Sequence, residues 1–275
     1  EPADTNADDK NPAAPAGDFT PVSGKVDGND VTILAAEAFT DHDDKDAVRF
    51  YYEFTNNSDE PTSAYSPLFF EAEEDGYELV STYASYEDDV PEYGNDSLYV
   101  MPGVTIRCIE EYSFKSDGDE LTFTISDYGD DIITATFDPK ALPGRPGDWT
   151  PEINPDLTFF LADSSDEGSS DKAHVFIDDG DLVDEYSGYG NGRVARIYFE
   201  YTNLEDEESY FRDECMILAF QDGIQLEYGY PEEDADTDGN DYEDVAPDDT
   251  LTVSLCWLLR SDSPVEVVVL DFWSD

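Results

Sequence analysis

The chain has 275 residues, room for two ordinary domains, and it carries 18 Tyr and 16 Phe, more aromatic side chains than a disordered polyacid holds. Against 69 acidic residues stand 13 basic ones, a formal net charge of −56. That excludes nucleic acid as a direct partner, because no basic stripe exists to displace its counterions, and anionic membrane surfaces would repel the chain.

In chain order, residues 1–17 are mostly Pro, Ala, Asp and Asn and show no periodicity. They predict a disordered tether of the kind left when a secretion or lipoprotein signal is removed, and so an extracellular, cell-surface protein that is a candidate for lipid anchoring. No run of 18 apolar residues exists, so no membrane span is expected. A short strand near Phe19 and a second at Val31–Ile33 lead to Arg49–Thr55, where Phe50, Tyr52 and Phe54 alternate with polar residues. Asn56 to Asp59 is a turn, Leu68–Phe70 a strand, and Asp75-Gly76 a tight hairpin turn. After a long acidic loop and Pro102, Ile106, Cys108, Tyr112 and Phe114 mark a further strand, followed by Leu121–Ile125 and Ile132–Phe137.

The second half repeats the first. Arg49-Phe-Tyr-Tyr-Glu-Phe-Thr-Asn56 matches Arg196-Ile-Tyr-Phe-Glu-Tyr-Thr-Asn203 at an offset of 147 residues, with 11 identities in 31 positions to Leu79. From Gly94-Asn95-Asp96, which meets Gly239-Asn240-Asp241, the offset is 145, so one loop differs by two residues. Val175–Ile177 answers Val31–Ile33, and Phe159 answers Phe19. Leu251, Val253, Leu255, Trp257 and Leu259 form the counterpart of the Ile106 strand, and Val265–Leu270 that of Leu121–Ile125. A counterpart of Ile132–Phe137 is lacking or is supplied from elsewhere. About seven strands per copy predict an all-β fold of two tandem immunoglobulin-like β-sandwiches, residues 18–138 and 157–275. Residues 139–156, dense in Pro and Gly, read as a semi-stiff linker.

The residues Phe199-Glu-Tyr-Thr-Asn203, Ala219-Phe-Gln-Asp-Gly-Ile-Gln-Leu226 and Val245-Ala-Pro247 carry a resemblance. The second copy is similar to an immunoglobulin-like domain of unknown function that is common in predicted lipoproteins of Gram-positive bacteria, gut species included. The first copy fits less closely and departs at the hairpin, where Glu73-Glu74-Asp75-Gly76 replaces Phe-Gln-Asp-Gly. The resemblance implies the fold and a location outside the membrane. It implies no activity and no catalytic residue.

Chemistry is sparse. His42 lies in the acidic loop Asp41–Lys45 and His174 at a strand start, neither in a nucleophile setting. Cys108, Cys215 and Cys256 are too few for a disulfide framework; they read as small core residues, or as one bridge and a spare thiol in an oxidising compartment. Neither they nor the histidines have zinc-ligand spacing, and no Gly-rich phosphate loop occurs. With 69 acids, every surface offers carboxylate pairs, which therefore carry no signal. No catalytic residue and no cofactor are expected. The acidity itself fits a solvated surface, adaptation to high salt, or cation binding.

Calcium has one candidate site. Asp234, Asp236 and Asp238, then Gly239, follow the opening order of a calcium loop, but the twelfth position is Val245 and offers no bidentate acid. Tyr51 and Tyr198, on the polar face of equivalent strands, and Tyr186 and Tyr189, in a Tyr/Gly/Ser loop, are candidates for a contact surface toward a protein or glycan ligand; the alternative is β-propensity alone. The leading expectation is a non-catalytic surface module for adhesion or ligand binding, or a structural spacer. The competing one is a secreted enzyme or enzyme inhibitor. A concave pocket with convergent polar groups and shifted pKa values would separate them.

Overall fold

Alternating apolar side chains become strands in the computed structural model, which describes residues 19–84, 90–115, 117–129, 131–149, 167–170, 172–184, 192–232 and 237–271. The chain is all-β, with antiparallel sheets and, among the described residues, one single-turn α-helix, α1 (Phe211–Glu214), and two short 3-10 turns. Contacts divide it into unit 1 (Glu1–Ser97 and Pro102–Glu152) and unit 2 (Leu98–Met101 and Ile153–Asp275).

Unit 1 holds β1 (Val22–Val26), β2 (Asn29–Thr40), β3 (Asp46–Thr55), β4 (Thr62–Ser63), β5 (Phe69–Glu74), β6 (Tyr77–Glu78) and β7 (Val80–Ser81). Unit 2 takes β8 (Tyr99–Val100), and unit 1 resumes with β9 (Thr105–Ser113), β10 (Leu121–Ser126) and β11 (Ile132–Phe137). One sheet runs β1-β2-β3-β9-β7 and the other β11-β10-β5-β6. Their facing sides meet in an aromatic core, where Phe50 of β3 stacks on Phe123 of β10 with centroids 4.3 Å apart. Phe19, expected in the first strand, precedes β1 and stacks on Phe137 at 4.5 Å.

Unit 2 continues with β12 (Glu167–Ser169), β13 (Ala173–Asp184), β14 (Arg193–Asn203), β15 (Cys215–Gln221), β16 (Ile224–Gln225), β17 (Thr250–Leu258) and β18 (Glu266–Asp271). Its sheets run β12-β13-β14-β17 and β18-β15-β16-β8. Phe199, Tyr201, Phe211, Val253, Leu255 and Trp257 form the centre of its core. The extra strand β8 pairs Val100 with Ile224, and Met101 N–H donates to the Gly223 carbonyl at 2.9 Å. It lies beside β16, so it does not take the place that β11 has beside β10.

The pairing follows the sequence repeat. Tyr52 sits opposite Cys108 on β9, and Phe199, 147 residues on, sits opposite Val253 on β17. A β-bulge falls just after Ile33 in β2 and just after Ile177 in β13, at matching places. Asp75-Gly76 and Asp222-Gly223 all have positive φ, the backbone that a two-residue hairpin turn requires. Buried Asn56 donates from Nδ2 to the Glu60 carbonyl and accepts from Ser58 N–H; Asn203 does the same with Glu207 and Glu205. The hairpin departure at Glu74 keeps its role. Glu74 accepts from Lys115 and Gly118 N–H, and Gln221 from Arg260 and Ser261 N–H, so each clamps the loop after its long strand.

The described part of the expected linker is no free spacer. Gly144 N–H donates to Ala36 O at 2.9 Å, Arg107 donates to Gly147 O at 2.7 Å, and Arg145 pairs with Glu92 at 3.0 Å, so residues 139–149 pack onto unit 1. The tether 1–17 and Phe159 lie outside the described residues.

Candidate functional site

Four turns at one end of unit 1 enclose a cleft of about 540 Å³. The β1–β2 turn brings Asp27, held at φ 50° ahead of Gly28 at 79°. The turn after β3 brings Ser58, whose hydroxyl donates to Asn56 Oδ1 at 2.7 Å. Thr62, Ser66 and Pro67 come from the passage toward β5. Asp127 to Gly129 come from the β10–β11 turn, which Asp127 ties together by accepting from Gly129 and Asp131 N–H at 2.8 and 3.2 Å. Buried Asn29 joins two of these turns, donating to Asp27 O at 3.2 Å and accepting from Asn57 N–H at 2.9 Å.

The bonded groups form a fixed frame, while the side chains of Asp27, Thr62 and Ser66 have no hydrogen-bond partner among the described residues. Beside them, Tyr128 is 87% exposed and rests edge-on against Phe69, with centroids 4.1 Å apart at 83°. A smaller cleft of about 270 Å³ is lined in part by Glu53, Arg107 and Trp149, but its cation is spent on Glu53 at 2.9 Å and on Gly147 O.

The tyrosine expectations divide. Tyr51 is not a contact residue: it is fully buried, because Val90 packs with Leu34, Ala35 and Ile109 over the outer side of the sheet. Its hydroxyl donates to Glu37, and burial pushes its pKa up. Beside it, Arg49 pairs with Glu111 at 2.6 Å and Glu37 at 2.9 Å and lies over the Phe39 ring at 4.6 Å. Tyr198 is half-buried, its hydroxyl 3.3 Å from Asp181. Tyr186 and Tyr189 lie outside the described residues, as do Asp234 and Asp236 of the calcium expectation. Asp238 spends its carboxylate within the protein, on Arg196 at 3.1 Å and on the Ser254 hydroxyl. No group of three or more His, Cys, Asp and Glu suited to a metal occurs among the described residues.

His42 stacks on Tyr83 at 3.7 Å, and His174 lies 3.6 Å from Glu167. All three cysteines are buried, and burial raises the Cys108 thiol well above its usual range, which keeps it protonated and a poor nucleophile.

One polar feature escaped the sequence reading. On β9, Glu110 shares the core-facing side with Cys108 and Tyr112 and lies opposite Phe50. Burial, then the nearby acids Asp96 and Glu111, push its carboxyl up to about 8. Burial also raises Asp96, and the buried Tyr52 hydroxyl next to Cys108 makes no hydrogen bond of ordinary geometry. The signal was present: Glu110 breaks the apolar alternation at the position where the second copy has Leu255.

A search of curated proteins gives no match. A solved Staphylococcus aureus structure, described as that of a “putative lipoprotein”, is 14% identical to this chain, covering 45% of it and 96% of that chain at a TM-score of 0.35. The family described as a domain of unknown function, DUF5067, matches residues 3–127 and 162–271. With most of both copies inside that match, the chain belongs to the DUF5067 family.

Proposed function

We propose that this chain is a non-catalytic, extracytoplasmic surface protein built from two immunoglobulin-like β-sandwiches, and that unit 1 is its ligand-binding module. The cleft of about 540 Å³ carries this reading, since fixed turns there present polar groups left without partners among the described residues. Two sheets closing on one core in each unit support the sandwich assignment. The resemblance to lipoprotein domains supports the location. No helix among the described residues is long and apolar enough to cross a membrane.

Binding is tested by presenting the immobilised full chain to oligosaccharide and matrix-protein arrays. Saturable binding lost in Ser66→Trp, which would fill the cleft, supports the module, and a blank result on both arrays leaves a spacer. Location is tested by adding protease to intact cells of the source organism. Digestion of this protein while cytosolic proteins survive supports a surface position; protection would overturn it.

A further inference from the structure

We propose that the unit 1 cleft binds a short, uncharged carbohydrate, with the Tyr128 ring as a stacking platform and Asp27, Thr62 and Ser66 bonding to its hydroxyls. This rests on the reading of unit 1 as a binding module and names its ligand class.

Charge removes one class of ligand. The cleft carries Asp27 and Asp127 and no Lys, Arg or His, so a phosphate or acidic sugar would meet only repulsion. Lining chemistry argues against a peptide anchor. Pro67 and Tyr128 are the apolar side chains there, whereas buried aliphatic or aromatic anchors need an apolar pocket. What remains is a surface of carboxylate, amide and hydroxyl groups around one aromatic ring. Sugar rings present the same pairing, with donor-acceptor hydroxyls at the rim and a C–H face that packs on an aromatic.

The cleft is also prepared in advance. Asn29, Ser58 and Asp127 have spent hydrogen bonds on the turns, so binding need not order those turns. The side chains of Asp27, Thr62 and Ser66, without partners among the described residues, are the valences left over, and a hairpin turn fixes the backbone of Asp27. Phe69 meets the Tyr128 ring at 83°, and the ring stays mostly in solvent. An organic cation would also suit two carboxylates, but a cation site gathers several rings, and this cleft has one. In unit 2, the position equivalent to Tyr65, next to Ser66, is Arg212, locked onto Asp241 at 2.6 Å and bonded to the Tyr228 hydroxyl.

The test is titration calorimetry of the full chain with neutral tri- to pentasaccharides of the gluco, galacto, manno and N-acetylglucosamine series, beside acidic oligosaccharides and tetramethylammonium. At least one neutral series should bind, about tenfold more weakly in Tyr128→Ala and two- to fivefold more weakly in Ser66→Ala. Tyr128→Phe should retain affinity, as should Tyr77→Ala, which removes an exposed ring elsewhere on unit 1. Because Tyr128 is so exposed, its loss leaves the fold intact. Neutral saccharide binding untouched by Tyr128→Ala would overturn the site while leaving the module reading in place. Binding of acidic sugars or tetramethylammonium alone would overturn the ligand class. No saccharide binding at all would overturn the inference, and only a blank matrix-protein array as well would overturn the module.

Discussion

Placed position against position, the two units agree at several side chains that bond to backbone and differ at side chains that meet in the core. Asn56 and Asn203 close the same turn, Glu74 and Gln221 clamp the same loop, and Asn95 and Asn240 each donate to a carbonyl of the neighbouring long strand. The core strands diverge: Cys108, Glu110 and Tyr112 in β9 stand where β17 has Val253, Leu255 and Trp257. The difference has a physical basis. A side chain that satisfies a buried carbonyl has few substitutes, because the orphaned group then loses its solvation without replacement. A core position asks only for volume and for satisfied polar atoms, so it drifts more freely.

The outer side of the sheet offers the sharpest way to break this comparison. Arg49 is buried between two carboxylates, Glu37 and Glu111, whereas Arg196 meets half-buried Asp238 and has Cys256 where Glu111 stands. Removing Arg49 leaves two carboxylates without their cation, and Arg49→Ala should cost about 3–5 kcal/mol. Arg196→Ala should cost about 1–2 kcal/mol, since Asp238 keeps its bond to Ser254. Urea unfolding of the full chain measures both, and equal losses would show the networks to be equivalent after all.

The two asparagines should behave as twins. Asn56→Ala and Asn203→Ala each strand a buried carbonyl and a turn N–H, so each should cost about 2–3 kcal/mol by the same measurement. A loss confined to one unit would mean that its turn does not need the side chain.

Both asparagines were legible beforehand, since Thr-Asn ends the same strand in each copy. The strand pairing was not, because the offset that changes by two residues between β3 and β9 only carries the register of one copy over to the other. Tyr51 was not legible. Alternation places it on the outer face, but only the packing of a loop some forty residues on buries it. The cleft was equally out of reach, assembled from turns near residues 27, 58, 66 and 127 that no local pattern links. Glu110 lay in plain view as a break in the apolar pattern, hidden by an acidic background in which one more carboxylate attracts no notice.

Glu110 sharpens the comparison through pH. Its carboxyl is raised to about 8 in the folded chain and returns to about 4.3 when unfolded. Between those values the folded state holds a proton that the unfolded state has released, so stability falls as pH rises through this window and levels off above about 8. Glu110→Leu, which installs the residue found at position 255, should flatten that part of the profile and raise the melting temperature most above pH 8. Melting curves from pH 4 to 9 at fixed ionic strength decide it, and an unchanged slope would mean that Glu110 is ionised in the folded protein.

The smallest expected effect separates the two acidic loops. Residues 232–244 of the second copy carry Asp238 where residues 87–96 of the first carry Tyr93. At a net charge of −56, any cation should stabilise the fold by screening repulsion that is greater in the compact state than in the unfolded chain. A specific calcium site would add a gain at millimolar calcium that sodium cannot reproduce. Asp238 already answers the Arg196 guanidinium, so drawing it onto an ion would break a partly buried ion pair. The loop also ends in Val245 with no bidentate acid. Sodium and calcium chloride should therefore raise the melting temperature alike at equal ionic strength, and Asp236→Ala and Asp238→Ala should leave the two curves superimposed. A calcium-only gain that both substitutions abolish would reverse the assignment: the second copy would hold an ion where the first, with Tyr93, cannot.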